Sequence, residues 1–258
     1  MESIIFTTDA SIVLAELLGG IRHENLFIVA DKHTVGFCDR LFEKVDWIPS
    51  HVTVLDCGEE YKSIESVSRI WTMLSKRGAR RSSILVCVGG GVVTDLGGFA
   101  ASTFKRGMRC INVPTTLLAQ VDASLGGKTG FNFNGLKNEI GTFSIPEKVI
   151  IDVHFLSHLP VRERMSGFAE MIKHGLLSDR EYLTRLLSLD YQETSPEDFL
   201  ELIRRSVTIK DEIVSQDPRE QGLRKVLNFG HTIGHSIESL SIMRGMALLH
   251  GEAVALGL

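Results

Sequence analysis

The stretch Ile84-Leu-Val-Cys-Val88 runs directly into Gly89-Gly-Gly-Val-Val-Thr-Asp-Leu-Gly-Gly98. The apolar run predicts a buried strand, and the glycines that follow predict a tight turn into a helix. Glycine lets the backbone approach a ligand without a Cβ, and amides at a helix N-terminus attract anions. The stretch therefore suits a pyrophosphate. A tight strand-to-helix turn alone would also select glycine, and the run is not a strict Gly-x-Gly-x-x-Gly fingerprint.

Short β-branched runs of the same kind recur on both sides of this stretch. The predicted strands are Ile4 to Thr7, Leu26 to Ala30, His51 to Leu55, Ile84 to Val88 and Arg109 to Val113. Helical patterns such as Ser63 to Arg77 separate them. Because strands alternate with helices, we expect an α/β domain at residues 1–152 with a mainly parallel, nucleotide-binding sheet.

After residue 152 the strand patterns give way to amphipathic helical patterns. The predicted helices are Met165 to Leu177, Arg180 to Leu189, Pro196 to Ser215, Leu223 to Leu240 and a last one from Met246 onward. They predict an all-α second domain at residues 153–258. Its last pattern is still apolar at Ala255-Leu-Gly-Leu258 and has no polar C-cap sequence, so we expect this domain to be truncated.

The composition is that of a globular protein, with 258 residues, 43% hydrophobic content and 23% charge. The formal net charge of −4 gives no general attraction to nucleic acid. The start lacks a signal pattern, and no stretch is long enough to span a bilayer. We therefore expect a cytoplasmic protein with neither a nucleic-acid nor a membrane partner.

The cysteines Cys38, Cys57, Cys87 and Cys110 are scattered, without a Cys-x-x-Cys pair. This spacing argues against both a disulfide framework and a thiolate zinc site. We expect buried free thiols.

The motif Asn228-Phe-Gly-His-Thr-Ile-Gly-His235 carries the strongest chemical signal of the second domain. On a helix, Asn228, His231 and His235 would share one face, since side chains three, four and seven apart point the same way. Two imidazoles and an amide can converge there on one ion or substrate. The alternative is a pair of surface or core histidines that bond to backbone carbonyls.

Two further polar clusters favour the metal interpretation. Phe168-Ala-Glu-Met-Ile-Lys-His174 places Glu170, Lys173 and His174 on one helical face, and His250-Gly-Glu252 opens a later helix. A catalytic zinc site uses three protein ligands drawn from imidazole nitrogen and carboxylate oxygen. The set that fits is Glu170, His231 and His250, which leaves His235 for proton transfer. The ligands lie too far apart for a local signature such as His-Glu-x-x-His, so spacing alone is weak evidence.

Polar density also rises between Pro114 and Asn138. The polar side chains there are Thr115, Thr116, Asp122, Lys128, Lys137 and Asn138, set among glycines. We interpret the segment as a phosphate-handling loop, with a hairpin carrying solvated lysines as the alternative. Gly126-Gly-Lys-Thr129 lacks the first glycine of a P-loop, so ATP or GTP hydrolysis is not supported.

Asp31 follows a predicted strand, where it could accept hydrogen bonds from ribose hydroxyls. A helix N-cap is the other interpretation of an acid at a strand end.

Taken together, four motifs resemble the 3-dehydroquinate synthases. They are Gly89 to Gly98, Pro114-Thr-Thr-Leu-Leu-Ala-Gln-Val-Asp-Ala-Ser-Leu-Gly-Gly-Lys-Thr-Gly130, Asn228 to His235, and His250-Gly-Glu-Ala-Val-Ala255. The resemblance implies the conversion of 3-deoxy-D-arabino-heptulosonate 7-phosphate into 3-dehydroquinate and phosphate, in the shikimate route to aromatic amino acids. It also implies bound NAD, which is reduced and reoxidised in each cycle, and a Zn²⁺ or Co²⁺ ion.

The resemblance further implies roles for individual residues. The metal ligands would be Glu170, His231 and His250. The NAD set would be Asp31, Glu59, Lys62, Gly90, Gly91, Val92, Asp95, Thr115, Thr116, Lys137, Phe155 and His158. The substrate set would be Arg106, Asp122, Lys128, Asn138, Lys173, Lys210, Arg224, Asn228 and His235.

Within the substrate set, two anionic groups have different expected partners. The phosphate would be held by Lys128, Asn138, Lys173 and His235, with Arg106 reaching it from the second subunit of a homodimer. The carboxylate would be held by Lys210 and Arg224, and the proton-transfer candidates are Glu220 and His235. Glu220 could equally be a solvated loop acid.

The chain departs from the family pattern at two positions and at its end. His33 stands where the family often has asparagine, and His158 where it usually has threonine. The family also continues through further C-terminal helices. The competing hypotheses are therefore another sugar-phosphate cyclase, a metal-dependent polyol dehydrogenase, and an inactive NAD- and metal-binding fragment.

Overall fold

The structure is a computed structural model of the chain, and it describes residues 3–190, 193–244 and 248–258. Contacts along the backbone divide it into two compact units. The α/β unit consists of residues 3–115 and 123–152, and the helical unit consists of Thr116–Asp122 and Val153–Leu258. The second unit thus includes a short segment that comes from the middle of the first unit's sequence.

A sheet of six parallel strands forms the centre of the α/β unit, in the order β1-β8-β5-β4-β2-β3. Its strands are β1 Ile4–Thr7, β2 Leu26–Asp31, β3 Val52–Leu55, β4 Ile84–Gly89, β5 Arg109–Pro114 and β8 Lys148–Asp152. The five predicted strands are confirmed to within one residue at each end. β8 was not predicted, because its apolar core is only Val149-Ile-Ile151 and gives a weak periodic signal.

The remaining two strands, β6 Lys128–Phe133 and β7 Leu136–Phe143, form a separate antiparallel hairpin. The hairpin includes the last part, from Lys128 to Asn138, of the segment interpreted as a phosphate-handling loop. Lys128 and Lys137 are both exposed on it. This part of the segment thus has the hairpin conformation of the alternative, and its phosphate role stays a prediction.

The helices of the α/β unit are α1 Ala10–Leu18, α2 Cys38–Leu41, α3 Ile64–Lys76 and α4 Gly91–Thr103. Leu85 and Cys87 of β4 pack in one buried cluster with Ile70 of α3 and Leu96 of α4. A parallel strand that is covered by helices on both faces has a continuous apolar sequence. This is why β4 could be predicted as a buried strand. The packing fixes the glycine turn between β4 and α4.

The helical unit contains α5 Val161–Ser178, α6 Arg180–Leu187, α7 Pro196–Gln216, α8 His231–Met243 and α9 His250–Gly257. At the start of α7 the Ser195 Oγ accepts a hydrogen bond from the Asp198 amide at 3.1 Å, as its cap sequence predicts. The part of the chain that the structure describes has no helix long and apolar enough to cross a membrane.

Two predicted helices of this unit differ from the structure. The continuous helix from Leu223 to Leu240 was wrong, because Leu223–Asn228 is a 3₁₀ segment and Gly230 has φ of 80°. A residue in the left-handed region interrupts the helical hydrogen-bond pattern, so α8 begins only at His231. Met246, the predicted start of the last helix, lies outside the described residues, and α9 begins at His250.

Candidate active site

Three histidines of the helical unit meet at the N-terminal ends of α8 and α9. His231 is the first residue of α8, His235 lies one turn later, and His250 is the first residue of α9. The ring centroids of His231 lie 5.1 Å from those of both His235 and His250. One nitrogen of each ring lies within 4.8 Å of the others, which is close enough for a shared ion.

Gly251 explains why His250 can reach this position. A Cβ on Gly251 would lie 1.8 Å from the Ser166 carbonyl oxygen of α5, so only glycine allows the two backbones to approach this closely. The Gly251 amide donates to the Ser166 Oγ at 3.0 Å and fixes the contact. The start of α9 is therefore held against α5, which carries Glu170.

Glu170 is the buried carboxylate beside the histidines, with no exposed surface. Its Oε1 lies 3.7 Å from the His250 Nε2 and 3.9 Å from the His231 Nε2, and Lys173 forms an ion pair with its Oε2. Neither carboxylate oxygen accepts a hydrogen bond of regular geometry from a described residue. A buried carboxylate without such bonds is costly, and a metal ion would satisfy it.

The tautomer of His231 is also suited to metal binding. Its Nδ1 lies 3.3 Å from the Phe229 carbonyl oxygen, which can only accept. Nδ1 must therefore carry the proton, and the lone pair of Nε2 points to the side where Glu170 lies. Glu170, His231 and His250 could thus supply the imidazole and carboxylate ligands of a zinc or cobalt ion, and the residues present fit such an ion.

The charges of this cluster shift its pKa values in opposite directions. Burial raises the pKa of Glu170, but attraction by His250 and Lys173 outweighs it and lowers the pKa to about 2. Burial lowers the pKa of His250, yet Glu170 and Glu238 raise it to about 9. The pKa of His231 is lowered by its burial and by the Lys173 charge. Glu170 is consequently ionised at neutral pH, as a ligand must be, whereas His250 is protonated without a metal and would release that proton on binding one.

A second buried cluster lies close by in the same unit, around Asp122 at the π-helical turn Ala119–Ala123. The Lys210 ammonium of α7 forms an ion pair with the Asp122 carboxylate and donates to its backbone carbonyl at 2.6 Å. Burial raises the pKa of Asp122, but Lys210 and Lys173 hold it well below its usual range. Asp122 and Lys210 are therefore a charged pair that faces Glu170 and Lys173.

His174 completes this second cluster from α5. Its Nδ1 lies 2.8 Å from the Ser206 Oγ, and its buried Nε2 has no hydrogen-bond partner among the described residues. Burial lowers the pKa of His174 to about 4, so the ring is neutral. One ligand atom each of Asp122, Glu170 and His174 lie within 4.8 Å of one another. His174 is thus a neutral imidazole held next to four charged groups.

Asn228, Glu220 and Arg224 come from the segment before α8. The expected common face of Asn228, His231 and His235 was wrong for Asn228, which lies in the 3₁₀ segment before the helix. Its amide donates to the Glu220 Oε1 at 2.9 Å instead. Arg224 is buried and donates to the Pro218 carbonyl oxygen at 2.8 Å. All three lie in the helical unit.

The α/β unit holds the glycine turn and its surroundings. Gly90 is the N-cap residue of α4. It has no side chain that could accept a hydrogen bond from the backbone amides of the first helical turn, which begins with Gly91 and Val92. This is the geometry that binds a pyrophosphate. Thr115, also expected in the NAD set, is buried and its amide donates to the Gly89 carbonyl oxygen at 3.0 Å.

Three further predicted site residues of this unit bond to one another. The buried Lys62 Nζ lies 2.5 Å from the Asp95 Oδ2 and 2.5 Å from the Asn138 Oδ1. Burial lowers the pKa of Lys62, but the charges of Asp95 and Glu59 outweigh this effect, so the pKa is raised above its usual value. Lys62 and Asp95 were expected to contact NAD and Asn138 a phosphate, and here they form one network.

The other predicted positions lie in both units. In the α/β unit, Asp31 ends β2, Arg106 is exposed with φ of 66°, and the Glu59 Oε1 accepts from the Asn132 amide at 2.9 Å. In the helical unit, the Thr116 Oγ1 accepts from the Ala119 amide at 3.2 Å. Phe155 is buried and His158 is exposed in the 3₁₀ segment Val153–His158.

Sequence reasoning missed three residues that support the histidine cluster. Glu238 of α8 is buried with an Oε2 3.9 Å from the His250 Nδ1, and its signal was its position seven residues after His231. Ser166 anchors α9, and Ser206 orients His174. A lone serine carries no signal of this kind in a sequence.

Similar structures place this two-unit fold in the class of sugar-phosphate cyclases. ValA, a 2-epi-5-epi-valiolone synthase from Streptomyces hygroscopicus solved with NAD⁺ and Zn²⁺ bound, is 30% identical with a TM-score of 0.83, covering 98% of this chain and 71% of that one. A 2-deoxy-scyllo-inosose synthase complexed with carbaglucose-6-phosphate, NAD⁺ and Co²⁺ is 27% identical with a TM-score of 0.80, covering 98% and 71%.

Sequence comparison narrows the class to one family. The models of the 3-dehydroquinate synthase N-terminal and C-terminal domains match residues 52–166 and 167–258. The 3-dehydroquinate synthase of Parabacteroides distasonis is 46% identical over 258 residues, which is 100% of this chain and 73% of the relative. The chain belongs to the 3-dehydroquinate synthase family.

Proposed function

We propose that this chain is a 3-dehydroquinate synthase, a lyase that converts 3-deoxy-D-arabino-heptulosonate 7-phosphate into 3-dehydroquinate and phosphate. The observation that carries the proposal is the buried Glu170, which lies within 4 Å of two imidazoles and lacks regular hydrogen bonds. The NAD and Zn²⁺ or Co²⁺ of related cyclases are the cofactors it would use. The reaction places the enzyme in the shikimate pathway of aromatic amino acid biosynthesis.

When bound, NAD would supply reversible hydride transfer, and the metal would lower the pKa of a substrate hydroxyl. Glu170, His231 and His250 would hold the metal. A cation bound there competes with the Lys173 ammonium for the Glu170 carboxylate, because both are attracted to the same oxygens. Lys173 would then be available to a substrate phosphate, as expected for this position.

Three buried cations of the helical unit could bind an anionic substrate. Lys173, Lys210 and Arg224 are buried cations, and they lie among the acids Asp122, Glu170 and Glu220. His250 and Glu238 form a further pair of opposite sign. Arg224 suits a carboxylate, which a guanidinium can bind with two parallel hydrogen bonds.

These three cations separate dehydroquinate synthesis from its alternatives. A cyclase for a substrate without a carboxylate, or a polyol dehydrogenase, would not need Lys210 and Arg224 as well as Lys173. We therefore place the substrate carboxylate at Lys210 and Arg224, and the phosphate at Lys173 and His235. For proton transfer we propose His235, with Glu220 as a second candidate.

We propose the turn at Gly90 and Gly91 as the pyrophosphate site. Its support is the uncapped start of α4. Asp31 at the end of β2 is the ribose candidate. The remaining members of the NAD set stay predictions, and so do the phosphate roles of Lys128, Asn138 and Arg106, the homodimer and the cytoplasmic location.

The test follows phosphate release and dehydroquinate formation in one NMR tube, with NAD and Zn²⁺ and with a chelated control. Equal and chelator-sensitive yields are expected from the wild-type chain. Turnover of a heptulose 7-phosphate that lacks the carboxylate, with none of the heptulosonate, would instead establish a different cyclase.

Matched variants connect the activity to Glu170. E170Q keeps the shape of the side chain but removes its charge, so bound metal and turnover should both be lost. E201Q is the control, because Glu201 is an exposed acid on α7 of the same unit and pairs with Arg204 at 3.1 Å. Full metal content and turnover in E170Q would refute the assigned ligand set.

A further inference from the structure

A second group of metal-ligand side chains lies in the α/β unit, where β2 and β3 end. Asp31 is the last residue of β2 and pairs with Leu55, the last residue of β3. His33 and Cys57 each follow two residues after these paired positions. Because parallel strands end at the same edge of a sheet, the three side chains meet, with one ligand atom of each within 4.8 Å of the others.

The loop around Asp31 is ordered by hydrogen bonds to one of its two oxygens. The Asp31 Oδ1 accepts from the His33 amide, the Thr34 amide and the Thr34 hydroxyl, each at 2.9 Å. The Thr34 hydroxyl also donates to the Val88 carbonyl oxygen of β4 at 2.8 Å. The carboxylate is thereby fixed at the sheet edge, and these bonds do not use its second oxygen.

The side chains of His33 and Cys57 do not take part in hydrogen bonds that hold the fold together. Among the described residues, neither the His33 imidazole nor the Cys57 thiol has a hydrogen-bond partner. His33 is exposed and Cys57 is partly exposed, so an ion could reach both. Cys38, Cys87 and Cys110, in contrast, are buried.

The neighbouring positive charge is held mainly by Asp56. Lys32 lies between Asp31 and His33 in sequence, and its ammonium pairs with the Asp56 Oδ1 at 2.5 Å, while Cys57 attracts it more weakly. Arg69 binds the second Asp56 oxygen at 2.9 Å. Asp56 is thus neutralised by two cations, while Asp31 has no ion pair with a described residue that would replace a metal.

We propose that Asp31, His33 and Cys57 bind one thiophilic divalent cation, such as Zn²⁺, through a carboxylate oxygen, an imidazole nitrogen and a thiolate. This donor set is that of zinc with a fourth position for water, whereas Mg²⁺ and Ca²⁺ prefer oxygen ligands alone. The Cys57 thiol loses its proton to solvent when the S–metal bond forms. The absence of a Cys-x-x-Cys pair excludes a site built on two thiolates, but it does not exclude one with a single thiolate.

One consequence rests on the proposed function. Asp31 is also the candidate for the NAD ribose, and a cation on its second oxygen would occupy the space that a ribose hydroxyl needs beside this carboxylate. Occupancy of this second site should therefore oppose NAD binding. Excess zinc would inhibit the enzyme although zinc at Glu170, His231 and His250 activates it.

Cobalt distinguishes the two sites, because a thiolate ligand gives Co²⁺ a near-ultraviolet charge-transfer band and the Glu170 site contains no sulfur. Titration of the full chain with Co²⁺ should produce this band, and Zn²⁺ should remove it. C57S should abolish the band, and H33N should weaken cobalt affinity about tenfold or more. H23N is the control, since His23 is another exposed histidine of the unit, paired with Asp46 at 2.8 Å, and it should leave the band unchanged.

A folded wild-type chain without the band, or a C57S chain that keeps it, would overturn the site. Competition is judged separately, by adding NAD to the cobalt-loaded E170Q variant and following both the band and NAD fluorescence quenching of the protein. Loss of the band on NAD binding is expected. An unchanged band with NAD bound overturns the competition, while failure of NAD to bind at all counts against the proposed function and not against the metal site.

Discussion

Burial divides the four cysteines of the chain into two chemical groups. Burial raises the pKa of the Cys38 thiol to about 11, and hydrogen bonding with Cys110 together with burial raises that of Cys87 well above its usual value. Since the thiolate is the nucleophile, these thiols should resist alkylation at pH 8. Only Cys57 should be modified rapidly by iodoacetamide, as read by peptide mass spectrometry.

Labelling of the unfolded chain is the control for this experiment. In denaturant all four thiols should react at similar rates, because burial no longer distinguishes them. Rapid labelling of Cys38 in the folded chain would show that α2 opens readily. Zn²⁺ should slow the labelling of Cys57 if the second metal site exists.

His174 makes the stability of the helical unit depend on pH. Its pKa is about 4 in the folded chain and about 6.5 when unfolded. Between these values the unfolded chain binds a proton that the folded chain does not, so stability falls as the pH falls from about 6.5 to 4. The difference between the two pKa values corresponds to at most about 3 kcal/mol in the free energy of unfolding.

The variant H174Q tests this dependence. It removes the titrating group, so its melting temperature should fall less steeply than that of the wild-type chain between pH 7 and pH 5, measured with metal bound. H154N, a change at an exposed histidine of the same unit, should keep the wild-type slope. Parallel wild-type and H174Q curves would mean that His174 is not buried in its neutral form.

At the scale of the elements, the contact of α9 with α5 is the most sensitive to a small substitution. Gly251→Ala adds a methyl group 1.8 Å from the Ser166 carbonyl oxygen, so the helices must separate. We expect a loss of roughly 2–3 kcal/mol, the range of overpacking, and weaker metal binding because His250 moves with α9. Calorimetry and metal titration measure the two effects.

Gly36→Ala is the matched control for that change. A Cβ on Gly36 meets nothing within 4 Å, and its backbone is not in the left-handed region. It should change stability by less than about 1 kcal/mol. If G251A bound metal as tightly as wild type, the position of α9 would not be what places His250.

The sequence predicted elements well where one strong pattern determines them. The buried run of β4 and the start of α7 at Pro196 could be located because apolar continuity and helical periodicity act over a few residues. The break at Gly230 could not be located, because the motif has the same helical spacing on either side of it. Asn228 was misplaced for that reason, whereas His231 and His235 do share α8.

The candidate site shows a similar limit. Residue types and family motifs led to Glu170, His231 and His250, which the fold brings together within the helical unit. Pairings that depend on long-range packing, such as Lys210 with Asp122 and Lys62 with Asn138, could not be predicted from local spacing. The same is true of Cys57, which meets His33 only because β2 and β3 are neighbours.

At the scale of the whole molecule, the proposed metal ligands and the glycine turn belong to different compact units. A ligand stabilises the part of the structure that binds it, since local opening must first release the ligand. Zn²⁺ at the Glu170 site should therefore slow hydrogen exchange in α5, α8 and α9. NAD should instead slow exchange in the β4–α4 turn and in the first turns of α4.

Hydrogen-exchange mass spectrometry of the full chain with zinc alone, NAD alone and both ligands separates these effects. E170Q is the control, because it should lose the zinc-dependent protection and keep that from NAD. Protection of α4 by zinc alone in C57S, where the proposed second site is removed, would contradict the separation and show that metal binding orders both units. If zinc still protected α5 in E170Q, the ion would have other ligands. If NAD did not protect the β4–α4 turn, the assignment of the pyrophosphate to Gly90 and Gly91 would be refuted.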